Sequence, residues 1–142
     1  MKRSFIPVCL FVGLALVLSC SYAQEKSVKQ VPAKPTTATS GKVLFAQYCA
    51  VCHGPDAKGK GPAADALKTP PGDLTQLKLH NAGKFPEKIV LDTFRGSGSV
   101  RAHGSQDMPV WGPIFSGMSS NPSLGQDRVH ALLQYLEDIQ AK

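Results

Sequence analysis

Cys49-Ala50-Val51-Cys52-His53 places two thiols and an imidazole within five residues. A C-x-x-C pair can act as a dithiol redox couple, supply half of a zinc site, or join a porphyrin. The following histidine makes the pattern C-x-x-C-H, the attachment spacing of a c-type haem. Two residues on a tight helical turn bring both sulfurs to one haem edge, where they add across the two vinyl groups as thioethers. His53 is then placed to offer its imidazole to the iron. A zinc site needs two further ligands, such as a second C-x-x-C or an H-x₃₋₅-H, and the sequence has neither. A thioredoxin-like pair belongs in a βαβ pattern, and no strong strand pattern is present. A helical cysteine pair that precedes a histidine by chance stays open.

The elements that would position these groups lie in a chain of 142 residues, enough for one globular domain. With 7% aromatic residues, 13 Gly and 11 Pro, the chain is short of core and rich in loops. A domain of this size folds only marginally on its own, and a covalent haem would supply missing apolar core. The charge is modestly basic, 16 Lys+Arg against 10 Asp+Glu. No Lys/Arg run or basic stripe interleaved with aromatics occurs, so nucleic acid is not an expected partner.

Residues 1–23 read as a signal peptide. Lys2 and Arg3 give the positive start, Phe5 to Leu18 the apolar stretch, and Ser21-Tyr22-Ala23 a small-residue cleavage site. The apolar stretch is short for a membrane span. Val17-Leu18-Ser19-Cys20 also resembles, imperfectly, a lipoprotein acylation site, so a lipid tether on Cys20 is an alternative to soluble release, and an uncleaved anchor a third option. Cleavage before Gln24 would leave Cys49 and Cys52 as the only cysteines. An exported protein with two cysteines would ordinarily bridge them; the adjacent His53 directs both to haem instead.

Residues 24–40 form a Pro/Thr/Lys-rich linker, able to reach about 50 Å if extended. The domain, residues 41–142, is expected to be all-α. Gly41 to Ala50 reads as a helix with Ser40 as N-cap and Val43, Leu44, Phe45 and Tyr48 available for burial; Gly54-Pro55 stops it. Pro62 to Leu67 permits a short helix, and Asp73 can cap another through about Leu79, closed by Asn81 and Gly83. Pro86 to about Arg95 is a helix with Phe85, Ile89, Val90 and Phe94 on one ridge, ended by Gly96. Residues 96–107 are a glycine-rich loop. Residues 108–122 are too broken for a long helix and too apolar for a free loop. The last helix has Ser123-x-x-Gln126 as a possible capping box and a stripe of Val129, Leu132, Leu133, Leu136 and Ile139.

In combination, these residues resemble a monohaem class I cytochrome c of bacterial type, from about Gly41 to the end. The resemblance implies an all-α cytochrome c fold in which the N- and C-terminal helices cross, here with Gly41 and Phe45 meeting Leu132 and Tyr135. Pro62, nine residues after His53, matches the proline whose carbonyl accepts the proximal histidine Nδ1–H in that family. Ordinary helix packing would give the same crossing, and Pro62 is also a plausible helix start. Met108, on a loop before Pro109-Val110-Trp111-Gly112, is the expected second axial ligand. Met118 and His103 are its rivals. His80 and His130 have polar surroundings and no partner at ligand spacing. Trp111, the only Trp, is expected beside the haem, and Arg95 and Arg101 could neutralise propionates.

With His53 and Met108 filling both axial positions there is no place for substrate. The resemblance therefore implies a one-electron carrier with one covalent haem c and no enzyme activity of its own, in the periplasm or at a membrane surface. The expected partners are redox proteins with acidic docking surfaces, approached through Lys58, Lys60, Lys68, Lys78, Lys84 and Lys88; those lysines could equally be a solvated face. The carrier is expected as a monomer unless it is the haem subunit of a larger dehydrogenase or oxidase. An open-site gas-binding or catalytic haem protein is a further alternative, and it requires Met108 to be dispensable.

Overall fold

The computed structural model describes residues 31–97 and 108–142. Among these residues every regular element is helical. The signal peptide, Cys20, Arg101 and His103 lie outside the described residues.

The first helix carries on through the Cys-x-x-Cys-His turn to the expected stop at Gly54. It joins α1 (Gly41–Leu44), a π-helical turn over Phe45–Cys49, and α2 (Ala50–His53). The extra turn puts Cys49, Cys52 and His53 on one continuous helix. Ser40 occupies the N-cap position but makes no side-chain cap hydrogen bond. Leu44 and Phe45 are buried, whereas Val43 faces solvent. Gly54, at φ 80°, ends the helix. A glycine is suited there because a left-handed backbone carries no steric penalty without a Cβ.

Downstream the chain makes two short 3₁₀ turns, Ala64–Ala66 and Leu74–Gln76, the second running into α3 (Leu77–His80). Asp73 caps as expected: its Oδ1 accepts from the Thr75 amide at 2.9 Å. Helix α4 (Glu87–Arg95) closes on Gly96, at φ 70°, whose amide donates to the Thr93 carbonyl while Ser97 donates to that of Asp92.

The broken stretch after Met108 forms a seven-residue helix, α5 (Trp111–Gly117). Pro113 does not disrupt it because it sits in the first turn, where amides lack intrahelical acceptors anyway. The last helix, α6 (Pro122–Asp138), starts one residue before the expected capping box. Asn121 caps it instead, its Oδ1 accepting from the Ser123 amide at 3.1 Å and from the Ser123 hydroxyl at 2.8 Å. A side chain one residue ahead of a proline-started helix reaches the first available amide, which leaves Ser123 inside the helix as a donor.

Helix α6 is the spine. Its Val129, Leu132, Leu133 and Leu136 are buried together with Leu44, Phe45, Phe94, Trp111 and Phe115. Ile139 lies just past the helix end and is half-buried. Where α1 crosses α6, Phe45 and Tyr135 rings lie 5.4 Å apart. A Cβ on Gly41 would fall 2.0 Å from the Ala131 carbonyl oxygen. The expected crossing of the terminal helices is therefore present, with Ala131 and Tyr135 as the residues against Gly41. The tail folds back: Gln140 Nε2 donates to the Leu74 carbonyl at 2.8 Å, and the Ala141 amide donates to the Thr75 carbonyl at 2.8 Å.

Packing also begins before Gly41. Ala33 and Ala38 pack against the core, and Arg128, 1% exposed, reaches back to this segment. Its Nη2 donates to the Thr36 carbonyl and its Nε to that of Ala38 at 3.2 Å. The second half of the expected linker is thus a strap laid on the domain.

Candidate functional site

The Cys-x-x-Cys-His turn ends a helix, and the last carbonyls of a helix lack intrahelical donors. The loop from Gly54 to Ala63 supplies them one by one. Gly54 donates to the Ala50 carbonyl at 2.9 Å, Ala63 to Val51 at 2.9 Å, Gly61 to Cys52 at 3.0 Å and Gly59 to His53 at 2.7 Å. Glycine is required at two of these steps by close approach. A Cβ on Gly61 would lie 2.4 Å from the Val51 oxygen, and one on Gly59 (φ 79°) would lie 2.1 Å from the Pro71 oxygen. The loop therefore locks the backbone that aims Cys52 and His53.

His53 is 8% exposed. Its Nδ1 lies 3.4 Å from the Gly72 carbonyl oxygen. With Nδ1 as donor, Nε2 is left with a lone pair for a metal. The resemblance pointed to Pro62 for this contact. The carbonyl opposite the ring is that of Gly72, and Pro62 is exposed and lines neither of the cavities beside His53. The backbone around Pro62 is spoken for in another way: Gly61 and Ala63 on either side of it donate to the haem-motif helix.

Two partly open cavities meet at His53. One is lined by Tyr48, Cys49, Cys52, His53, Met108 and Trp111, among others. The other is lined by His53, Met108 and the apolar side chains of Leu74, Ile89, Phe94 and Leu136, among others. His53 and Met108 line both. Trp111, 7% exposed, lines the first cavity together with the cysteines. Its ring stacks on Phe115 at 5.4 Å and meets Tyr48 at 5.3 Å. Ile89, expected in the core ridge, is 44% exposed and forms cavity wall.

The thiol environment disfavours the dithiol reading of the motif. Cys49 and Cys52 are not bridged. Burial, with a smaller contribution from neighbouring Cys52, pushes the Cys49 thiol up to about 12. A dithiol redox centre needs the opposite, a thiolate favoured near neutral pH. Among the described residues no three His, Cys, Asp or Glu side chains converge as a metal-ion site. A slot with apolar walls, two thiols on one side, and a nitrogen and a thioether donor at its border fits a porphyrin.

The rival ligands are placed elsewhere or not described. Met118 packs away from the slot, its sulfur 3.9 Å from the Tyr48 hydroxyl. His80 and His130 are exposed, as is Arg95. Sequence reasoning missed Gly72, Tyr48 as slot wall, and Arg128. The signal for Arg128 was present: it lies four residues before Leu132, on the face of α6 that is buried.

No curated protein and no solved structure matches the chain. Residues 36–136 match the family described as cytochrome c oxidase, cbb3-type, subunit III. The match begins inside the strap and ends in α6, so it spans the slot and most of the chain. The chain belongs to this family of c-type cytochrome domains, and its cofactor is a covalently bound haem c.

Proposed function

We propose that the chain is a one-electron carrier whose haem iron is held between His53 and Met108, in an electron-transport chain of the periplasm or membrane surface. The observation that carries this is the shared position of His53 and Met108 on both cavities. When bound, the haem supplies a single Fe(III)/Fe(II) couple. The chain's residues do the rest. Cys49 and Cys52 anchor the macrocycle, the Gly72 carbonyl orients His53, and the apolar walls keep water from the iron. A thioether from Met108 favours Fe(II) and so raises the reduction potential. With His53 and Met108 both holding the iron, no position would be left for a substrate, which is why a carrier is favoured over an open-site enzyme.

Residues 1–23 direct export in this reading, with release at Ala23 or a lipid on Cys20. Among the described residues no helix is long and apolar enough to cross a membrane. Docking is assigned to Lys58, Lys60 and Lys68, which line one open groove beside the haem motif. Their charge suits a redox partner with an acidic surface. Lys88 is engaged with Asp92 on its own helix. The family's description names an oxidase subunit, and this favours a second reading in which the domain relays electrons inside a larger oxidase. Co-purification with a large partner selects the second reading; a lone monomer selects the first.

The optical spectrum of the exported protein tests the ligand set. Haem that survives acid-acetone extraction, with the ferric charge-transfer band of methionine ligation, is expected. Met108→Ala should abolish that band. If His103→Ala removes the sixth ligand instead, the assignment of Met108 fails. A protein isolated with zinc and no haem would overturn the whole reading.

A further inference from the structure

The strap formed by residues 31–38 and the haem slot share two side chains. Tyr48 and Trp111 line the slot, and both also line a groove on the protein surface together with Val31, Pro32, Lys34 and Pro35. They therefore form a wall with the slot on one side and the strap on the other. The strap is tied to this wall directly: the Tyr48 hydroxyl donates to the Lys34 carbonyl at 2.7 Å. It is tied to the domain by Arg128, whose guanidinium is almost fully buried.

The bonding of Arg128 is unusual for a buried cation. Its donors go to three carbonyls, those of Thr36, Ala38 and, through Nη1 at 3.4 Å, Phe115. Burying a charge is costly unless its donors are satisfied. Here two of the three acceptors belong to the strap, so the guanidinium stays both buried and satisfied only when the strap is seated. The third acceptor, Phe115, is in ring contact with both wall residues, at 5.4 Å from Tyr48 and 5.4 Å from Trp111. One side chain thus joins strap, α5 and α6 behind the wall.

We propose that Arg128 is a positioning residue for the electron-transfer site. By seating residues 33–38 it fixes Tyr48 and Trp111 against the haem and keeps water from that side of the slot. The inference rests on the proposed His53/Met108 carrier. Its physical basis is that the oxidised haem carries the greater positive charge and is disfavoured by a low-dielectric, water-free surrounding. Loosening the strap admits water, stabilises Fe(III) and lowers the potential.

The test uses the exported holoprotein, with two readouts. Deuterium exchange reports the strap, and redox titration reports the site. Arg128→Met, which keeps bulk and removes every donor, should speed exchange at the Ala38 amide, which the seated strap holds on the Thr36 hydroxyl at 3.0 Å, by about tenfold or more, the equivalent of losing one or two hydrogen bonds, and shift the midpoint potential downward. Tyr48→Phe, which keeps the ring and removes only the bond to Lys34, should do both to a smaller degree. Should Arg128→Met not mature, Tyr48→Phe and Arg128→Lys carry the test, the lysine variant lying between wild type and methionine. In the double variant Arg128→Met/Tyr48→Phe the two potential shifts should fall short of their sum, because both act through one strap. Faster strap exchange with an unchanged potential would overturn the proposal, as would additive shifts. Wild-type protein with high-spin, five-coordinate iron would instead overturn the carrier reading itself, and that outcome is visible in the spectrum before any variant is made.

Discussion

The amide of Gly61 donates to the carbonyl of Cys52 at 3.0 Å, and a Cβ on Gly61 would lie within 2.6 Å of the Ala50 and Cys52 backbone on the same helix turn. The backbone that presents the second thiol and His53 is thus fitted against a loop with no room for one methyl group. Gly61→Ala must push the loop off the turn. Overpacking of this kind costs about 1–3 kcal/mol. We expect that loss in the denaturant midpoint of the holoprotein, with a lower yield of haem-loaded chain. Gly117→Ala, at the end of α5, is the matched control. A Cβ there meets nothing within 4 Å, so its effect should stay within about 0.5 kcal/mol. Equal losses in both variants would count against the close-approach argument.

The crossing of the terminal helices makes a second test at a site far from the chemistry. Gly41 packs its backbone onto Ala131, where a Cβ would sit 2.0 Å from the carbonyl oxygen and 2.7 Å from Tyr135 Cβ. Gly41→Ala forces the helices apart and loosens the Phe45–Tyr135 contact. An alanine is otherwise favoured over glycine in a helix by about 1 kcal/mol, so the sign of the result is informative. Destabilisation by about 1–3 kcal/mol is expected, read from thermal and denaturant unfolding. A stabilised variant would show that the helices do not approach this closely.

Met108 and Met118 separate function from packing. Met108 borders the slot, whereas Met118 is half-buried beside the Tyr48 hydroxyl. Met118→Ala should lower stability by about 1–2 kcal/mol, below the range for a fully buried methionine, and leave the charge-transfer band intact. Met108→Ala should lose the band and lower the midpoint potential, since the thioether that favours Fe(II) is gone. Loss of the band in Met118→Ala would reverse the assignment.

Much of this site was legible because its chemistry is local. Cys49, Cys52 and His53 are one helical turn, and the stripe Val129, Leu132, Leu133, Leu136 has helical spacing, so residue type and interval suffice. The helix ends were less legible. The stop at Gly54 was legible, but the helix fills residues 51–53 up to it because the loop amides of Gly59, Gly61 and Ala63 cap the last turn, and those contacts span a loop rather than a window of sequence. Pro62 drew attention as the matching residue, yet the carbonyl opposite His53 comes from Gly72, nineteen residues away. The strap was read as linker because its composition is that of a linker. What seats it is Arg128, some ninety positions later, and no periodicity connects the two.

Asp73 supplies a prediction with a defined pH dependence. Its carboxylate accepts from the Thr75 hydroxyl at 2.6 Å and from the Thr75 amide at 2.9 Å, capping the turn that leads Leu74 into the slot wall. The hydroxyl bond is the main cause that holds this carboxyl below its ordinary value; partial burial works against it, while the amide bond and the charges of Lys58 and His80 add to it. A folded-state pKa below the unfolded value of about 3.9 means the charged group stabilises the fold above that value. The contribution is then lost as pH falls through the lower, folded value. Asp73→Ala should therefore cost about 1 kcal/mol at pH 7, as loss of an N-cap does, and the gap to wild type should narrow below about pH 4. Asp73→Asn keeps a capping acceptor without the charge, so it should retain most of the stability at pH 7 and show no such narrowing against Asp73→Ala. Unfolding curves for the three proteins between pH 7 and pH 3 decide the matter. A gap between wild type and Asp73→Ala that holds constant across the range would show that the cap works through its geometry alone.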